Sequence, residues 1–377
     1  MKNKKSLVRR VFSRTLLLGN ILAVGWLLLC YAASVYSPLD IDYLALFSLT
    51  LPFALVANFF FVFFWIFSSH KWRTLISLSV LGLCYYMIPA VFGFHPFFDD
   101  WTKAPGRFKL MTWNVHAMGT FNHPNEARHA AGIVEFIKKE SPDILCLPEF
   151  ATNADPSRRV SLPAIIKQNG YRKYYFQEDN DYGPEIRIGT AVFSRYPVVG
   201  HKVHQLSRYI YMVQCDVEVQ PGNVVSVCVV HLRSFMLSDQ DKAVIEEVKR
   251  RKTEKLDISG TFIYKFNLAY VERAAEAEKV AAILGRIRNP VIVCGDFNDL
   301  PYSYTYRTIR GERRDAFATH GFGLGRTYNQ IIPTLRIDHI LYDGKGLEAK
   351  AFRIPNTRLS DHNPVIANFE IIPDGKD

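Results

Sequence analysis

Three apolar stretches near the N-terminal end constrain this chain more than any other feature. Leu16–Tyr36, Tyr43–Ser69 and Thr74–Phe94 run for 21, 27 and 21 residues without a charged side chain. A helix of ~20 apolar residues crosses a hydrocarbon core of ~30 Å, so each stretch is long enough to span a bilayer. Pro52 and Pro89 lie inside two of them and would kink a span rather than forbid it. The basic residues before the first stretch and the small Ala32-Ala33-Ser34 also fit a cleaved signal peptide, but that stretch is long for one and two more follow at once. The expectation is a membrane region over 1–94, with transmembrane helices at about 16–36, 44–68 and 74–94.

Cations favour the cytoplasmic side of a membrane. Lys2, Lys4, Lys5, Arg9, Arg10 and Arg14 precede the first stretch, and Lys71 and Arg73 lie between the second and third. The loop after the first stretch carries Asp40 and Asp42 and no cation. This pattern predicts a multi-pass protein of the cell membrane with a cytoplasmic N-terminus and everything beyond residue 95 extracytoplasmic.

The net charge of +10 is divided between the membrane region and the rest, so it does not form one basic patch that would bind nucleic acid through bulk charge. At 49% hydrophobic the chain is neither disordered nor collagen-like. Residues 95–107 read as a linker that extends to only ~40 Å. Residues 108–372 form one domain with a sizeable core. None of the six cysteines has Cys-x-x-Cys spacing, which argues against zinc.

Within that domain, strands are expected at Phe108–Val115, Asp143–Pro148, Ile188–Ser194, Tyr209–Val219, Val224–Leu232, Val291–Cys294, Ile337–Tyr342, Glu348–Phe352 and Pro364–Phe369. Helices are expected at Glu126–Lys139, Ser161–Asn169, Ser238–Leu256 and Phe266–Ile287. Strands mixed with helices predict an α/β fold with a mixed sheet. Gln220-Pro221-Gly222-Asn223 marks a hairpin in which Cys215 and Cys228 sit equally far from the turn, so they are expected to face each other within reach of a disulfide.

Polar residues stand at the ends of these apolar strands: Asn114, Glu149, His231, Asp296 with Asn298, Asp338, and Asp361 with His362. Rigid strand ends deliver side chains to a site. Hard oxygen ligands, amides and imidazoles suit Mg²⁺ and phosphate-ester chemistry. Any one of them has a plainer reading, as a turn, a solvated strand end or a satisfied core histidine.

Seven blocks occur in order: Thr112-Trp113-Asn114-Val115-His116, Leu147-Pro148-Glu149, Gly189 to Pro197, Val230-His231-Leu232, Gly295-Asp296-Phe297-Asn298-Asp299, Arg336-Ile337-Asp338-His339-Ile340 and Ser360-Asp361-His362-Asn363-Pro364. In this the chain resembles the endonuclease/exonuclease/phosphatase superfamily, the DNase I-like metal-dependent phosphoesterases, over about residues 108–372. The resemblance implies a four-layer α/β/β/α sandwich. It implies Mg²⁺, with Mn²⁺ as the alternative, held by Glu149 with Asn114 and Asp361 close by. It implies that Asp296 orients or activates water and Asn298 holds the scissile phosphate. His231 would bind a phosphate oxygen or protonate the leaving group. His362 would act in proton transfer or as a phosphate ligand, oriented by Asp338. The chain departs from many nuclease members at His116, where they carry Asp, and at His339, where Tyr is frequent. Arg187 offers either a phosphate contact or a solvated edge arginine.

Three functions share this pattern. The first is a membrane-tethered phosphoesterase acting on a lipid-linked phosphate or phospholipid head group. The second is an extracytoplasmic nuclease. The third is a catalytically inactive membrane interaction module, which would be expected to have lost Glu149, His231, Asp296 or His362. Cations at Lys249–Lys252 followed by Phe262, Ile263, Tyr264 and Phe266 would suit a membrane-facing segment.

Overall fold

The apolar stretches pack as a helical bundle. The computed structural model describes residues 2–95, 99–119, 126–153, 169–181, 186–235, 260–330 and 335–372. Helix α1 spans Lys2–Val35 and α2 spans Leu51–Ile66. Over Arg10–Val35 and Leu44–Ile66 the mean hydropathy is 2.0 and 2.1, enough in length and composition to cross a membrane. The third stretch differs from the expected single helix. It is a broken pair, bent by 62° between Lys71–Leu83 and Tyr85–Val91. It contains α3 (Thr74–Leu83) and the short α4 (Ile88–Val91), and Gly93–Phe94 is a strand, β1. Pro89 explains the break: its ring clashes with the carbonyl four residues back, and it has no N–H to give.

Polar groups join the helices inside the bundle. Trp65 Nε1 donates to Asn20 Oδ1 (2.9 Å), and Asn20 Nδ2 donates to Ser77 Oγ (2.6 Å). Small polar contacts of this kind hold helices together where apolar surface has no reason to prefer protein over lipid. Arg73 donates to Ser13, so the loop after α2 lies at the N-terminal end of the bundle.

The remainder forms two six-stranded mixed sheets. The first contains β2 (Arg107–Thr112), β3 (Ile144–Asn153), β4 (Lys173–Asp181), β5 (Ile186–Ser194), β13 (Leu347–Arg353) and β14 (Val365–Ile371), in the order β13-β14-β2-β3-β5-β4. The second contains β6 (Val198–Ser207), β7 (Ile210–Gln220), β8 (Asn223–His231), β9 (Val291–Asp296), β10 (Arg314–Asp315) and β12 (Asp338–Tyr342), in the order β10-β12-β9-β8-β7-β6. The pairs β2–β3 and β8–β9 are parallel. Leu110, Val192, Val213, Val227, Ile292, Ile340 and Phe369 fill the space between the sheets.

Outside the first sheet, helix α5 (Glu126–Glu140) sets Ala130, Ile133, Val134 and Ile137 on Leu145 and Phe193. Outside the second, α6 (Gly260–Leu284) sets Ala277, Val280 and Leu284 on Cys228 and Val293. This is the expected order of layers. Helix α6 begins six residues before the predicted start, with Gly260 as its first residue rather than a break. Strands β4 and β6 were not expected. The predicted helix at Ser238–Leu256 and all but the last residue of that at Ser161–Asn169 lie outside the described residues.

The domain rests directly on the bundle. Leu27, Cys30, Leu81, Cys84 and Met87 share one apolar cluster with Leu300, Tyr302 and Ile337. Strand β1 pairs with β11 (Phe322–Gly323), His95 N donates to Gly321 O (3.1 Å), and Phe352 N donates to Asp99 Oδ1 (3.0 Å). The described part of the expected linker is therefore fastened to the domain.

The β7–β8 hairpin corrects the cysteine pairing. A bulge between Glu218 and Gln220 shifts the register, so Cys215 opposes Val227 and Cys228 opposes Gln214. One step of slip sends side chains to opposite faces. Cys215 enters the core between the sheets, and Cys228 packs beneath α6. All six cysteines are free. Thiol titration of the denatured, unreduced protein should find all six, and a count of four would restore a disulfide.

Candidate active site

Three adjacent strands of the second sheet end in one polar row. The β8–β9 register sets His231 beside Asp296, and the β12–β9 register sets Asp338 beside Asp296. Gly295 makes this alignment feasible: its φ is 126°, and a Cβ there would lie 2.0 Å from the Val230 carbonyl oxygen. Beyond it the chain turns at Asn298, whose φ is 50°. Asn298 N donates to Asp296 Oδ1 (2.8 Å), and its side chain donates to Leu232 O (2.8 Å).

The first sheet supplies the facing residues through bulges. Leu147 pairs with Ala191 and Phe150 with Gly189, which leaves one extra residue on β3 and turns Glu149 outward at φ 51°. Strand β4 bulges at Asp179, between the Glu178–Gly189 and Asn180–Ile188 pairs. A Cβ on Gly189 would lie 1.8 Å from the Gln177 carbonyl oxygen, so the three strands close up around a bare backbone. Bulges redirect side chains next to sites, and backbone held in sparsely populated regions collects at them.

Asn114 joins the two sheets. Its Nδ2 donates to Glu149 Oε1 (2.8 Å) and to Asp296 Oδ2 (3.1 Å). Its Oδ1 accepts from His116 N (3.0 Å), so the amide presents its nitrogen, rather than its oxygen, to the carboxylates. His362 Nδ1 is 2.8 Å from Asp338 Oδ2, and Nε2 is 3.7 Å from Asp296 Oδ2. Trp113 Nε1 donates to the His362 carbonyl (2.9 Å) and Ser360 Oγ to the Asn114 carbonyl (2.8 Å), which fixes the loop before β14 against β2.

Electrostatics divide the carboxylates. Burial would raise Glu149, but the hydrogen bond to His116, the charge of His231 and the Asn114 amide lower it to about 2. Burial and the neighbouring Asp338 push Asp296 up to about 6, against the pull of His362 and His231. Burial opposes charge on His362, yet Asp338 and Asp296 overcome it and raise the ring to about 10. Burial lifts Asp179 to about 7. The site therefore contains one firmly ionised carboxylate, Glu149, two poised near neutrality, Asp296 and Asp179, and a cationic imidazole, His362.

Two groupings could hold a cation. Asp296, Asp338 and His362 place ligand atoms within 4.8 Å of one another. The short Nδ1–Oδ2 contact in that group is already a hydrogen bond that fixes the ring. Glu149 and Asp361 offer the second grouping: each lies 3.7 Å from His116 Nδ1, and their side chains are 30% and 12% exposed. Two partly exposed carboxylates flanking one imidazole are hard oxygen ligands of the kind that suit Mg²⁺, which keeps several of its waters.

All eight residues expected from the sequence gather here. Arg187 does not: it pairs with Glu178 (2.7 Å). Two further neighbours were missed. Asp179 could be found only from its bulge. Tyr328 stacks edge-on against His362 at 4.9 Å and packs on the apolar cluster shared with the bundle. His116, noted in the sequence only as a departure, sits between Glu149 and Asp361.

Mixed sheets with carboxylates, amides and imidazoles at their joined ends define an α/β phosphoesterase-type fold. The sequence profile of the Endonuclease/Exonuclease/phosphatase family matches residues 111–362, and the chain belongs to that family. Residues 13–91 match a separate domain of unknown function. UPF0294 protein VP2298 of Vibrio parahaemolyticus is 23% identical over 129 residues, 34% of this chain and 45% of that protein, so the match spans about half the length of that relative. Among solved structures, the human Nocturnin catalytic domain with bound sulfate is 16% identical, with a TM-score of 0.49 over 73% of this chain and 98% of its own. The Bacteroides thetaiotaomicron mannosyl-6-phosphatase Bt3783 is 17% identical, with a TM-score of 0.47 over 70% and 99%.

Glu149→Gln, Asp296→Asn and His362→Ala should each lower phosphoester hydrolysis by at least about 10²-fold while leaving the thermal midpoint and secondary structure near those of the parent. Turnover within a factor of two of the parent would remove that residue from the site.

Proposed function

We propose that this protein is a membrane-anchored, divalent-metal-dependent phosphoesterase that hydrolyses a lipid-linked phosphate or a phospholipid head group outside the cytoplasm. The carrying observation is the apolar cluster that unites the bundle with Leu300, Tyr302 and Ile337. Leu300 follows the Asn298 turn and Ile337 precedes Asp338, so the bundle packs within two residues of the site. Tyr328 belongs to the same cluster and touches His362.

Surface chemistry supports the same placement. Phe94 and Phe322, on the β1–β11 pair next to α4, are 62% and 64% exposed. Ile263 and Tyr264 on α6 are 46% and 58% exposed, near Asn267, which accepts from Tyr43 N in the loop after α1. Apolar and aromatic side chains on both flanks of a bundle suit the interface of a bilayer. The same loop lies on the domain side, while Arg73 lies at the opposite end with Ser13. With cations inside, the domain is extracytoplasmic.

In this reading Glu149 and Asp361 hold the metal, and Asn114 orients Glu149 and Asp296. A bound Mg²⁺ would neutralise charge on the phosphate and polarise it. Asp296 takes the proton of the attacking water, being ionised at neutral pH and basic enough to accept. Water adds to phosphorus and the ester P–O bond breaks. His231 donates to a phosphate oxygen or to the departing oxygen. Asp338 holds the His362 ring in one orientation, and its cationic edge faces the charge that develops. Asn298 completes the phosphate cradle.

Chelation with EDTA should abolish activity of the full chain in nanodiscs, and Mg²⁺ should restore it. Full activity after exhaustive chelation would exclude the metal. A substrate panel of polyprenyl diphosphate, phospholipids, inositol phosphates and DNA should favour the lipids; a preference for DNA would establish the nuclease instead.

Topology is tested separately. A reporter fused after Asp377 should read as extracytoplasmic and one near Lys71 as cytoplasmic, and the reverse would refute the placement.

A further inference from the structure

An open cavity of about 500 Å³ adjoins the paired carboxylates. It shares His116 and Asp361 with the site described above, and Arg326, Asn329, Thr357 and Arg358 are among the other residues of its wall. Backbone and amide bonds fix that wall. Asn329 N donates to Asp361 O (2.8 Å), and Asn363 N donates to Thr327 O (2.6 Å). The side-chain amides of Asn329 and Asn363 donate to each other (3.1 and 3.0 Å), and Thr357 N donates to Asn363 Oδ1 (3.1 Å). Through Ser360 and Asn114 the cavity is held in register with the carboxylates.

Its charge is unbalanced. Arg326 donates from Nε to Tyr328 O (3.1 Å) and from Nη2 to Asn329 O (2.5 Å). Neutral carbonyls position a guanidinium without cancelling its charge. Arg358 is exposed and forms no ion pair or hydrogen bond among the described residues. Arg107, Arg187, Arg233, Arg313 and Arg353 are matched to carboxylates, while exposed arginines such as Arg208 and Arg286 have no ion pair among the described residues; what distinguishes Arg326 and Arg358 is that they line one cavity. Two unmatched guanidinia in one fixed wall, beside a phosphate-ester site, form a receptor for an anion with several acceptor oxygens.

We propose that this cavity is a second anion subsite, which binds a further phosphate of the substrate while the ester undergoing cleavage lies at Glu149, Asp296 and His362. The substrate class is a phosphate ester with two anionic centres, such as a diphosphate or a phosphorylated head group. This inference rests on the phosphoesterase reading, yet the subsite can be assayed by binding alone.

The full chain in nanodiscs, carrying Asp296→Asn to suppress turnover, is titrated calorimetrically at fixed free Mg²⁺. The probes are matched pairs: inorganic phosphate against methylenediphosphonate, and inositol 1-phosphate against inositol 1,4-bisphosphate. The doubly anionic member of at least one pair should bind more tightly. Adding Arg358→Gln should weaken that member about tenfold, the loss of one charge-assisted hydrogen bond, and leave its singly anionic match within about twofold. Arg358→Lys should restore part of the difference.

Nanodiscs containing phosphatidylinositol or phosphatidylinositol 4-phosphate repeat the comparison for a lipid source. An Arg358-dependent preference in the lipid arm or in the free arm supports the subsite and identifies the source. No preference in either arm, equal weakening of both members, or no effect of Arg358→Gln overturns it. Failure of the parent to hydrolyse any ester, with the binding preference intact, would overturn the phosphoesterase reading and leave the subsite standing.

Discussion

Asn114 donates to Glu149 in one sheet and to Asp296 in the other, and the geometry of the site follows from that bridge. Apolar packing between sheets is non-directional and would tolerate sliding by a residue. A buried amide with two carboxylate acceptors tolerates much less, because a displaced partner leaves a buried polar group unsatisfied. The bridge is itself held by His116 N at its oxygen, and Ser360 holds its carbonyl. His362 then meets Asp296 because Asp338 fixes its ring from the neighbouring strand. Each bond constrains the next, so the carboxylates and imidazoles converge.

The same economy ties the site to the bundle. Arg336 is buried and donates to Asp315 (2.9 Å) and to the carbonyl of Ala90 at the end of α4 (3.3 Å). Arg273 on α6 is buried against Asp299 (3.4 Å), one residue past the Asn298 turn. Removing one partner of such a buried pair costs about 3–5 kcal/mol, because the remaining charge is stranded. These pairs make the position of the Asp296–Asn298 turn and of Asp338 depend on elements that also contact the N-terminal helices.

Much of this was legible in the chain. Asn114, Glu149, His231, Asp296, Asn298, Asp338, Asp361 and His362 each stand where an apolar strand ends, and strand ends are local events. The layers were legible because alternating and continuous apolar runs follow the strand period, and the small residues of Phe266–Ile287 mark a helix that packs closely. Two of the failures came from a one-residue irregularity. The bulge after Glu218 moved Cys228 to the face opposite Cys215, and the bulge at Asp179 brought an acid to the site. A bulge leaves composition unchanged and reverses the face of everything beyond it. The broken third membrane segment is an intermediate case: Pro89 was visible, but whether it bends or breaks a helix depends on what receives the freed carbonyls.

The sequence by itself determined the apolar stretches, the order of the strands' polar ends and the chemical character of the donor set, because hydropathy and period are properties of neighbouring residues. Tertiary structure decided which of those ends meet. Glu149 and Asp361 are 212 positions apart yet flank one imidazole. Asn114 donates to Asp296 from one sheet to the other. Tyr328, unremarkable in the chain, lies between His362 and the N-terminal apolar helices. Such meetings depend on strand order, register and bulges, which long-range pairing sets and no local window contains.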